Sequence, residues 1–440
     1  MFGGLFSAWC APVLAAGLFS GLFGKHADVP VTQAGGSPNP WFWMARYDGA
    51  LTRSQFEASL RLFDPGRALV PLLKIDDQGF TLYPSGAERR VEQFHLAFAT
   101  AGKEKAPWRY RTPAQFRAAP KPEGKPLQGL RIAIDPGHIG GDWGQVEDRS
   151  TLYPGVGRIQ EGDMNLITAR LLEKRLTALG ATVFPTRRDT DPVTDLRPAD
   201  LREEALAALL DWKPRWKVIP PSQRERVLRG HIEEMSHLLF ERKYEFLARG
   251  AKIRRSFQPD VTLVLYINAT PSSGRCRLVS DNRNIFFVEG AYTPQEALDP
   301  DEQLRLFYKV LDRVTPVEYE VAASIARAFT AATRLKPVEY GNTATTRLVD
   351  PGNYYVVARN LGANRQYDGP VVTTEPYFMN NATVARRLVA GDYEGERLFR
   401  GRFYPSIFRE YADCVVAGLL DAYGPAGDKG AASNSVASLK

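Results

Sequence analysis

The sequence predicts an α/β protein whose mixed, mostly parallel sheet has helices on both faces and is preceded by a small α+β domain. Apolar, β-branched segments alternate with helical segments between residues 131 and 374, and this alternation is typical of sheets built from β-α-β units. The segment 261–267 is one apolar run, as expected for a strand covered on both faces. Apolar residues at helical spacing follow Asp163, a candidate N-cap, and end at Gly180, which predicts a helix between two strands.

Apolar runs or alternation predict the remaining strands, and apolar residues three or four positions apart predict the remaining helices. Strands are expected in the large domain at 131–135, 181–186, 261–267, 285–288 and 371–374. Helices are expected at 166–179, 318–333 and 200–256, the last with a Pro-rich break at 214–221. In the small domain, a helix at 52–63 precedes short strands at 69–75, 79–83 and 91–99.

Composition divides the chain into segments with different expected roles. In order, they are a signal peptide or anchor, a linker, the small α+β domain, a Pro/Lys-rich linker, the large domain and a disordered tail, at 1–24, 25–40, 41–100, 101–129, 130–424 and 425–440. A helical insertion is expected within the large domain at about 195–245.

The first 24 residues are apolar and glycine-rich, with no charged residue before Lys25. This pattern predicts a secretory signal or an uncleaved N-terminal anchor, and therefore an extracytoplasmic protein in the periplasm or cell envelope. A buried helix of the fold is the alternative interpretation.

The chain is basic, with 57 Lys and Arg residues against 50 Asp and Glu residues and a net charge of +7. The basic residues do not cluster and no nucleic-acid motif is present, so nucleic acid is not an expected partner. The excess suits an anionic wall polymer or membrane surface. The oligomeric state is left open.

Three cysteines, at positions 10, 276 and 414, are too few for a disulfide framework. Cys276 and Cys414 are either a single disulfide in an oxidising compartment or two packed free thiols.

Four polar residues at the ends of predicted elements form the candidate site. His138 follows a strand that ends in the turn Asp135-Pro-Gly, Asn268 and Glu375 follow two later strands, and Glu161 precedes a helix. In a wound sheet such positions converge on one edge. An imidazole and two carboxylates are the components of a metal hydrolase site.

These motifs resemble those of the zinc-dependent N-acetylmuramoyl-L-alanine amidases, which cut peptidoglycan between muramic acid and the stem peptide. Segment 132–142 resembles the first zinc-ligand motif of that family, and Glu161 its second ligand. Segment 181–191 resembles the strand and Thr-Arg-Asp loop that follow, with one extra arginine. Segment 373–381 resembles the late strand that carries the catalytic glutamate. The motifs occur in the expected order across 130–424, which implies the amidase fold and Zn²⁺ as cofactor.

The chain departs from the family at the third zinc ligand, a histidine that is replaced here by Asn268. A neutral amide oxygen is a poor zinc ligand beside imidazole or carboxylate. Three explanations compete. Asn268 coordinates weakly or holds a water; His231 or His237 of the insertion substitutes for it; or the site is degenerate and the protein binds wall polymer without cutting it.

The resemblance implies a role for each remaining residue. His138 and Glu161 hold Zn²⁺ with a third group, and Glu375 takes a proton from the attacking water and returns it to the leaving amine. Apart from the resemblance, Asp135 is expected to form the turn that orients His138, and Arg187 to have a structural role by pairing with Asp189 or Asp191. The leading hypothesis is a peptidoglycan amidase, and the alternative is an amidase-fold protein that binds peptidoglycan without cleavage.

Overall fold

The computed structural model describes residues 40–64, 67–83, 94–211, 221–271, 276–298, 300–343 and 345–425. The predicted signal or anchor lies outside these residues. So do nearly all of the predicted linker at 25–40, the tail at 425–440 and the Pro-rich break at 214–221. No helix in the described part of the chain combines the length and the apolar character that a membrane crossing requires.

The strands are named here in chain order. They are β1 (Leu73–Ile75), β2 (Gly79–Leu82), β3 (Phe94–Ala97), β4 (Arg131–Pro136), β5 (Ser150–Tyr153), β6 (Gly157–Gln160), β7 (Thr182–Pro185), β8 (Val261–Leu265), β9 (Arg283–Val288), β10 (Lys336–Pro337), β11 (Thr346–Leu348), β12 (Val356–Arg359), β13 (Val371–Pro376), β14 (Glu396–Phe399) and β15 (Arg402–Pro405).

The α-helices are named in the same way. They are α1 (Arg53–Phe63), α2 (Pro113–Ala118), α3 (Trp143–Val146), α4 (Glu161–Ala178), α5 (Arg202–Asp211), α6 (Pro221–Leu239), α7 (Glu245–Ser256), α8 (Pro294–Leu298), α9 (Pro300–Asp312), α10 (Val314–Thr333), α11 (Gly362–Gln366), α12 (Ala382–Val389) and α13 (Ile407–Tyr423). Short 3₁₀ helices span Pro40–Tyr47, Val70–Leu72 and Pro198–Leu201.

The central sheet is mixed and mostly parallel, as predicted. Among the described residues its strands lie in the order β11-β12-β9-β13-β8-β4-β7, with β10 beside β9. The neighbours β13, β8, β4 and β7 are all parallel to one another. Within the described strands of this central sheet, only β11 with β12, and β9 with β13, pair antiparallel. Four adjacent strands therefore end at one edge of the sheet.

Helices cover both faces of this sheet, as predicted. Successive side chains of a strand point to opposite faces. On β4, Ile132 shares a core with the buried residues of α4, α10 and α13. Its neighbour Ala133 instead packs with Ile253 of α7 and Ala363 of α11. The apolar run at β8 is buried throughout, because both of its faces are covered in this way.

The N-terminal module contains α1 and the antiparallel sheet β1-β2-β3. Thr52 caps α1 with a reciprocal capping box, and Phe56 and Phe63 are buried at the predicted helical spacing. The same core includes Phe307 and Val310 of α9. The module is thus packed against α9, which lies more than 200 positions later in the chain.

The segment 101–129 also packs against the large unit. Phe116 and Leu127 are buried in the main core. Arg111 and Arg131 both pair with the buried carboxylate of Asp260.

The predicted insertion is helical and continues beyond residue 245. The chain passes from α6 through a π-helical turn at Phe240–Tyr244 directly into α7. A π-turn of this kind is uncommon and occurs frequently at functional sites.

Candidate functional site

The four parallel strands bring the predicted site residues to one edge of the sheet. His138 lies just beyond β4, Asn268 just beyond β8, and Glu375 at the end of β13. Glu161 is the first residue of α4 and is buried at this edge. Parallel strands share the edge at which they end, which is where open α/β sheets bind their ligands.

The loop that carries His138 is fixed by two buried arginines. Arg187 donates to the carbonyl oxygens of Pro136 and Ile139, at 3.1 Å and 2.8 Å. Arg249 donates to the carbonyls of Pro136 and His138, each at 3.1 Å. His138 has a φ of 56°, a left-handed conformation that a non-glycine residue adopts only when its surroundings impose it. Arg187 also donates to the backbone carbonyl of Asp189, so the predicted pairing with an aspartate is made through the main chain.

Asp135 connects to His138 indirectly, through Arg249. Its fully buried carboxylate accepts from Arg249 at 3.1 Å and from the Tyr367 hydroxyl at 2.6 Å. Glu245 accepts from Arg249 at 2.7 Å. Two carboxylates thus orient the guanidinium that binds the His138 carbonyl.

His138 and Glu161 meet at a distance that suits two ligands of one ion. His138 Nε2 lies 3.3 Å from Glu161 Oε2. Two donors on a tetrahedral zinc, each at roughly 2.0–2.2 Å, are separated by roughly 3.3–3.6 Å. The other Glu161 oxygen accepts the backbone N–H of Ile267 at 3.0 Å, which ties the start of α4 to the end of β8.

Two further residues complete the surroundings of the imidazole. His138 Nδ1 lies 3.4 Å from Glu147 Oε1, and the second Glu147 oxygen accepts the backbone N–H of Ile139 at 2.8 Å. On the opposite side of the ring, Arg149 Nε donates to His138 Nε2 at 3.0 Å. Neither Glu147 nor Arg149 is marked by a pattern in the sequence.

The protonation of His138 depends on these neighbours. Burial lowers the pKa of His138, the Glu161 carboxylate raises it, Arg149 lowers it and Glu147 raises it, with a net rise to about 9. In the neutral ring Nε2 accepts from Arg149, whereas in the charged ring Nε2–H faces Glu161. Both states engage the Nε2 atom that a metal ion would bind.

Asn268 uses its side-chain oxygen within its own loop. Its Oδ1 accepts the backbone N–H of Ala269 at 2.7 Å, and its buried Nδ2 has no group in hydrogen-bond geometry. Burial raises the pKa of Tyr340, opposed in part by Arg359 and by the Asn268 amide, so this phenol lies close to the amide. The Asn268 backbone remains in the sheet, because its carbonyl accepts the N–H of Met379 at 2.7 Å.

Glu375 lies within electrostatic range of the His138 cluster. Burial raises its pKa, Arg359 lowers it, and Glu161 raises it further, while His138 and Arg149 oppose that rise. Glu375 is partly exposed, and a carboxyl with a raised pKa is suited to exchange protons near neutral pH.

The donors as arranged do not fit the zinc site that the resemblance implies. Among the described residues, no three His, Cys, Asp or Glu side chains form a group that could hold a metal ion. The third donor is an amide whose oxygen is already bonded to its own chain. A guanidinium nitrogen lies 3.0 Å from His138 Nε2. Of the features that a zinc site requires, only the distance between His138 Nε2 and Glu161 Oε2 is met.

The insertion contributes Glu241 from the π-turn. Its buried carboxylate accepts from Arg242 at 2.9 Å. Burial raises the pKa of Glu241, and Glu147, Arg149 and His138 are among the charges that act on it. Of the two insertion histidines, His231 lies 3.6 Å from Glu234 of its own helix and is 39% exposed. Nothing in the described contacts joins His231 or His237 to His138.

The two later cysteines are both free: Cys276 is partly buried and Cys414 is buried. Of the two interpretations, this structure shows the two free thiols and not the disulfide.

The proteins to which this chain is similar are named as cell-wall amidases. The probable cell wall amidase LytH of Staphylococcus aureus is 38% identical over 87 residues, which are 20% of this chain and 28% of that protein. The chain thus matches little more than a quarter of the length of this curated relative. No family model matches the chain.

Two solved structures are also similar to this chain, at low TM-scores. The N-acetylmuramyl-L-alanine amidase Ami1 of Mycobacterium abscessus is 15% identical, with a TM-score of 0.35, over 67% of this chain and 99% of that one. The catalytic domain of the amidase CwlV of Bacillus (Paenibacillus) polymyxa var. colistinus is 14% identical, with a TM-score of 0.33, over 66% and 97% of the two chains. Both carry the name of the family that the sequence motifs resemble. These identities are too low to transfer an activity to this chain.

Proposed function

We propose that this protein hydrolyses an amide bond of peptidoglycan, the one between N-acetylmuramic acid and the L-alanine of the stem peptide. The observation that carries the proposal is the convergence of His138, Glu161 and Glu375, which come from three separate elements, at one edge of the sheet. His138 and Glu161 are 3.3 Å apart, and both act on the pKa of Glu375. Peptidoglycan is the proposed partner, and the cell envelope outside the cytoplasm is the proposed location.

Glu375 is the proposed general base. Its raised pKa favours uptake of a proton from an attacking water, and the same carboxyl can return that proton to the leaving amine. His138 and Glu161 would face the scissile amide from the adjoining strand and helix. The net charge of +7 favours the approach of an anionic wall polymer.

Zn²⁺ is the cofactor that the resemblance implies, with His138 and Glu161 as two of its ligands. When bound, such an ion polarises a carbonyl and activates a water. Arg149 would have to leave His138 Nε2 before an ion could bind there, because its Nε is 3.0 Å from that atom.

A second function, binding of peptidoglycan without cleavage, is favoured by Asn268. Its amide oxygen is bonded to Ala269, and the family histidine is absent. A site without a third ligand can still hold a stem peptide through charge and hydrogen bonds.

Digestion of purified muropeptides by the full chain, with and without added zinc chloride, tests the proposal. Mass spectrometry should detect stem peptides with a free N-terminal L-alanine. Glu375→Gln should lower the rate by roughly 10²–10⁴-fold, the range of general base catalysis. Glu396→Gln, at an exposed position on β14, is the matched control and should cleave like the wild type.

Co-sedimentation with insoluble peptidoglycan separates the two functions. Binding without release of L-alanine peptides, with or without zinc, would contradict hydrolysis and support the second function. The absence of both binding and cleavage would contradict both.

A further inference from the structure

The guanidinium of Arg149 faces both of the atoms expected to bind a metal. Its Nε lies 3.0 Å from His138 Nε2 and 3.9 Å from Glu161 Oε2. These two atoms are themselves 3.3 Å apart. One cationic N–H group therefore lies beside the position that an ion shared by His138 and Glu161 would take.

The backbone around Arg149 holds it in this position. The Arg149 N–H donates to the carbonyl of Gly144 at 2.7 Å, and the Arg149 carbonyl accepts the N–H of Glu161 at 3.2 Å. Asp148 has a φ of 54°, which turns the chain back toward the sheet edge. Arg149 Nη1 donates to the Asp148 carbonyl at 3.1 Å. The turn and the first residue of α4 thus fix the arginine and Glu161 relative to each other.

The surrounding carboxylates require a positive charge. Glu147, Glu161 and Glu241 are all buried, and all three act on Arg149. Buried carboxylates are stable only when a cation or hydrogen bonds compensate them. A divalent ion placed beside the guanidinium would be repelled, because like charges interact strongly where water is excluded.

Asn268 points to the same conclusion independently. The third ligand position of the resembled family holds a neutral amide here, and that amide is bonded to Ala269. The chain therefore lacks one metal donor and has a cation next to the other two.

We propose that Arg149 is the resident cation of this site and takes the place of the zinc ion. The guanidinium compensates Glu161 and its neighbours, and the site is complete without a metal. This assignment holds whether the chain cleaves peptidoglycan or only binds it, so cleavage and metal content are separate measurements.

Zinc binding to the purified full chain tests the assignment. After dialysis against micromolar zinc chloride, the wild type should retain substoichiometric zinc by elemental analysis. Arg149→Met, which removes the charge at similar size, should bind zinc about ten-fold more tightly or better, the scale on which neighbours of metal ligands act. Arg149→Met combined with Asn268→His should bind it more tightly still, while Arg149→Lys should stay like the wild type.

The matched control is Arg158→Met on β6, an arginine that donates to Ser150 and should leave zinc binding unchanged. One tightly bound zinc per wild-type chain would overturn the assignment, and this result needs no variant to fold. Failure of both the Arg149→Met and the combined variant to gain zinc, with wild-type circular dichroism, would overturn it as well.

Discussion

The loops that follow β4 and β8 lie side by side at the same sheet edge, yet they are built very differently. After β4, buried guanidinium groups from Arg187 and Arg249 bind the carbonyls of the His138 loop. After β8, the side-chain oxygen of Asn268 accepts from the next residue, and its buried Nδ2 has no group in hydrogen-bond geometry although the Tyr340 phenol lies close. The loop that carries the imidazole is thus held from several directions, whereas the side chain at the third ligand position is not.

This difference separates what the fold demands from what a metal would demand. The arginines around His138 stabilise the loop with or without an ion, since their partners are backbone carbonyls and buried carboxylates. A third zinc ligand does not stabilise the loop in this way, so its replacement by a neutral residue changes the free energy of unfolding little. Four variants sharpen this contrast, beginning with the largest expected effect.

Arg249→Met should be the most damaging change. It leaves Asp135 and Glu245 buried without their cation, and breaking a buried pair from one side costs about 3–5 kcal/mol. Urea unfolding measures the loss. Arg254→Met, on the same helix but paired with exposed Asp368, should cost less than about 1 kcal/mol. Equal losses in the two variants would mean that Arg249 does not organise the loop.

His138 should make stability depend on pH. Its folded pKa is raised from 6.5 to about 9, so its stabilising contribution is fully present below pH 6.5 and is lost as the pH rises through about 9. In metal-free buffer, the advantage of the wild type over His138→Gln should shrink by up to about 3 kcal/mol across this window. The difference in unfolding free energy between the wild type and Asn268→Ala should not change with pH over this window, because both proteins retain His138. A wild-type advantage over His138→Gln that grows with pH would contradict the cause given for the pKa.

Gly162→Ala should strain the contact between α4 and the His138 loop. A Cβ at this position would lie 2.3 Å from the backbone nitrogen of Gly140, and such overpacking costs about 1–3 kcal/mol. Gly230→Ala, which meets open space on α6, should instead stabilise by about 0.5–1 kcal/mol through helix propensity. Thermal unfolding should therefore shift in opposite directions, and a neutral Gly162→Ala would show that the loop is not tightly held.

Asn268→Ala should have the smallest effect, within about 1 kcal/mol, because one weak bond is lost and one unpartnered buried N–H₂ group is removed. Asn364→Ala is the matched comparison, since that buried amide binds both Val371 and Thr373. Its loss should cost about 1–3 kcal/mol. A larger loss for Asn268→Ala would mean that the β8 loop depends on this residue after all.

The sheet could be predicted from the sequence because its signals are local. β4, β8 and β13 lie within two residues of their expected ends, since a β-branched apolar run marks a covered strand wherever it occurs. The start of α4 was predicted wrongly. The helix begins at Glu161, and Gln160 caps it without a side-chain bond. Asp163, the predicted cap, lies within the helix, and its carboxylate accepts the N–H of Gly141 instead.

The surroundings of the site could not be predicted, because they depend on contacts between distant residues. Arg249 meets Asp135 across 114 positions, and nothing in the helix around it marks this arginine as special. Glu147 and Arg149 are only 9 and 11 positions from His138, but they follow α3, whose 4 residues are too few to show a helical periodicity. The strand-end residues were found because chain direction alone brings them to one edge.

Anomalous diffraction at the zinc absorption edge, from crystals grown with zinc chloride, tests the central claim most directly. We expect the Arg149 guanidinium to lie beside His138 Nε2 and Glu161 Oε2, with no anomalous peak within bonding distance of His138 Nε2. A strong peak bonded to both His138 and Glu161, with Arg149 displaced, would contradict it.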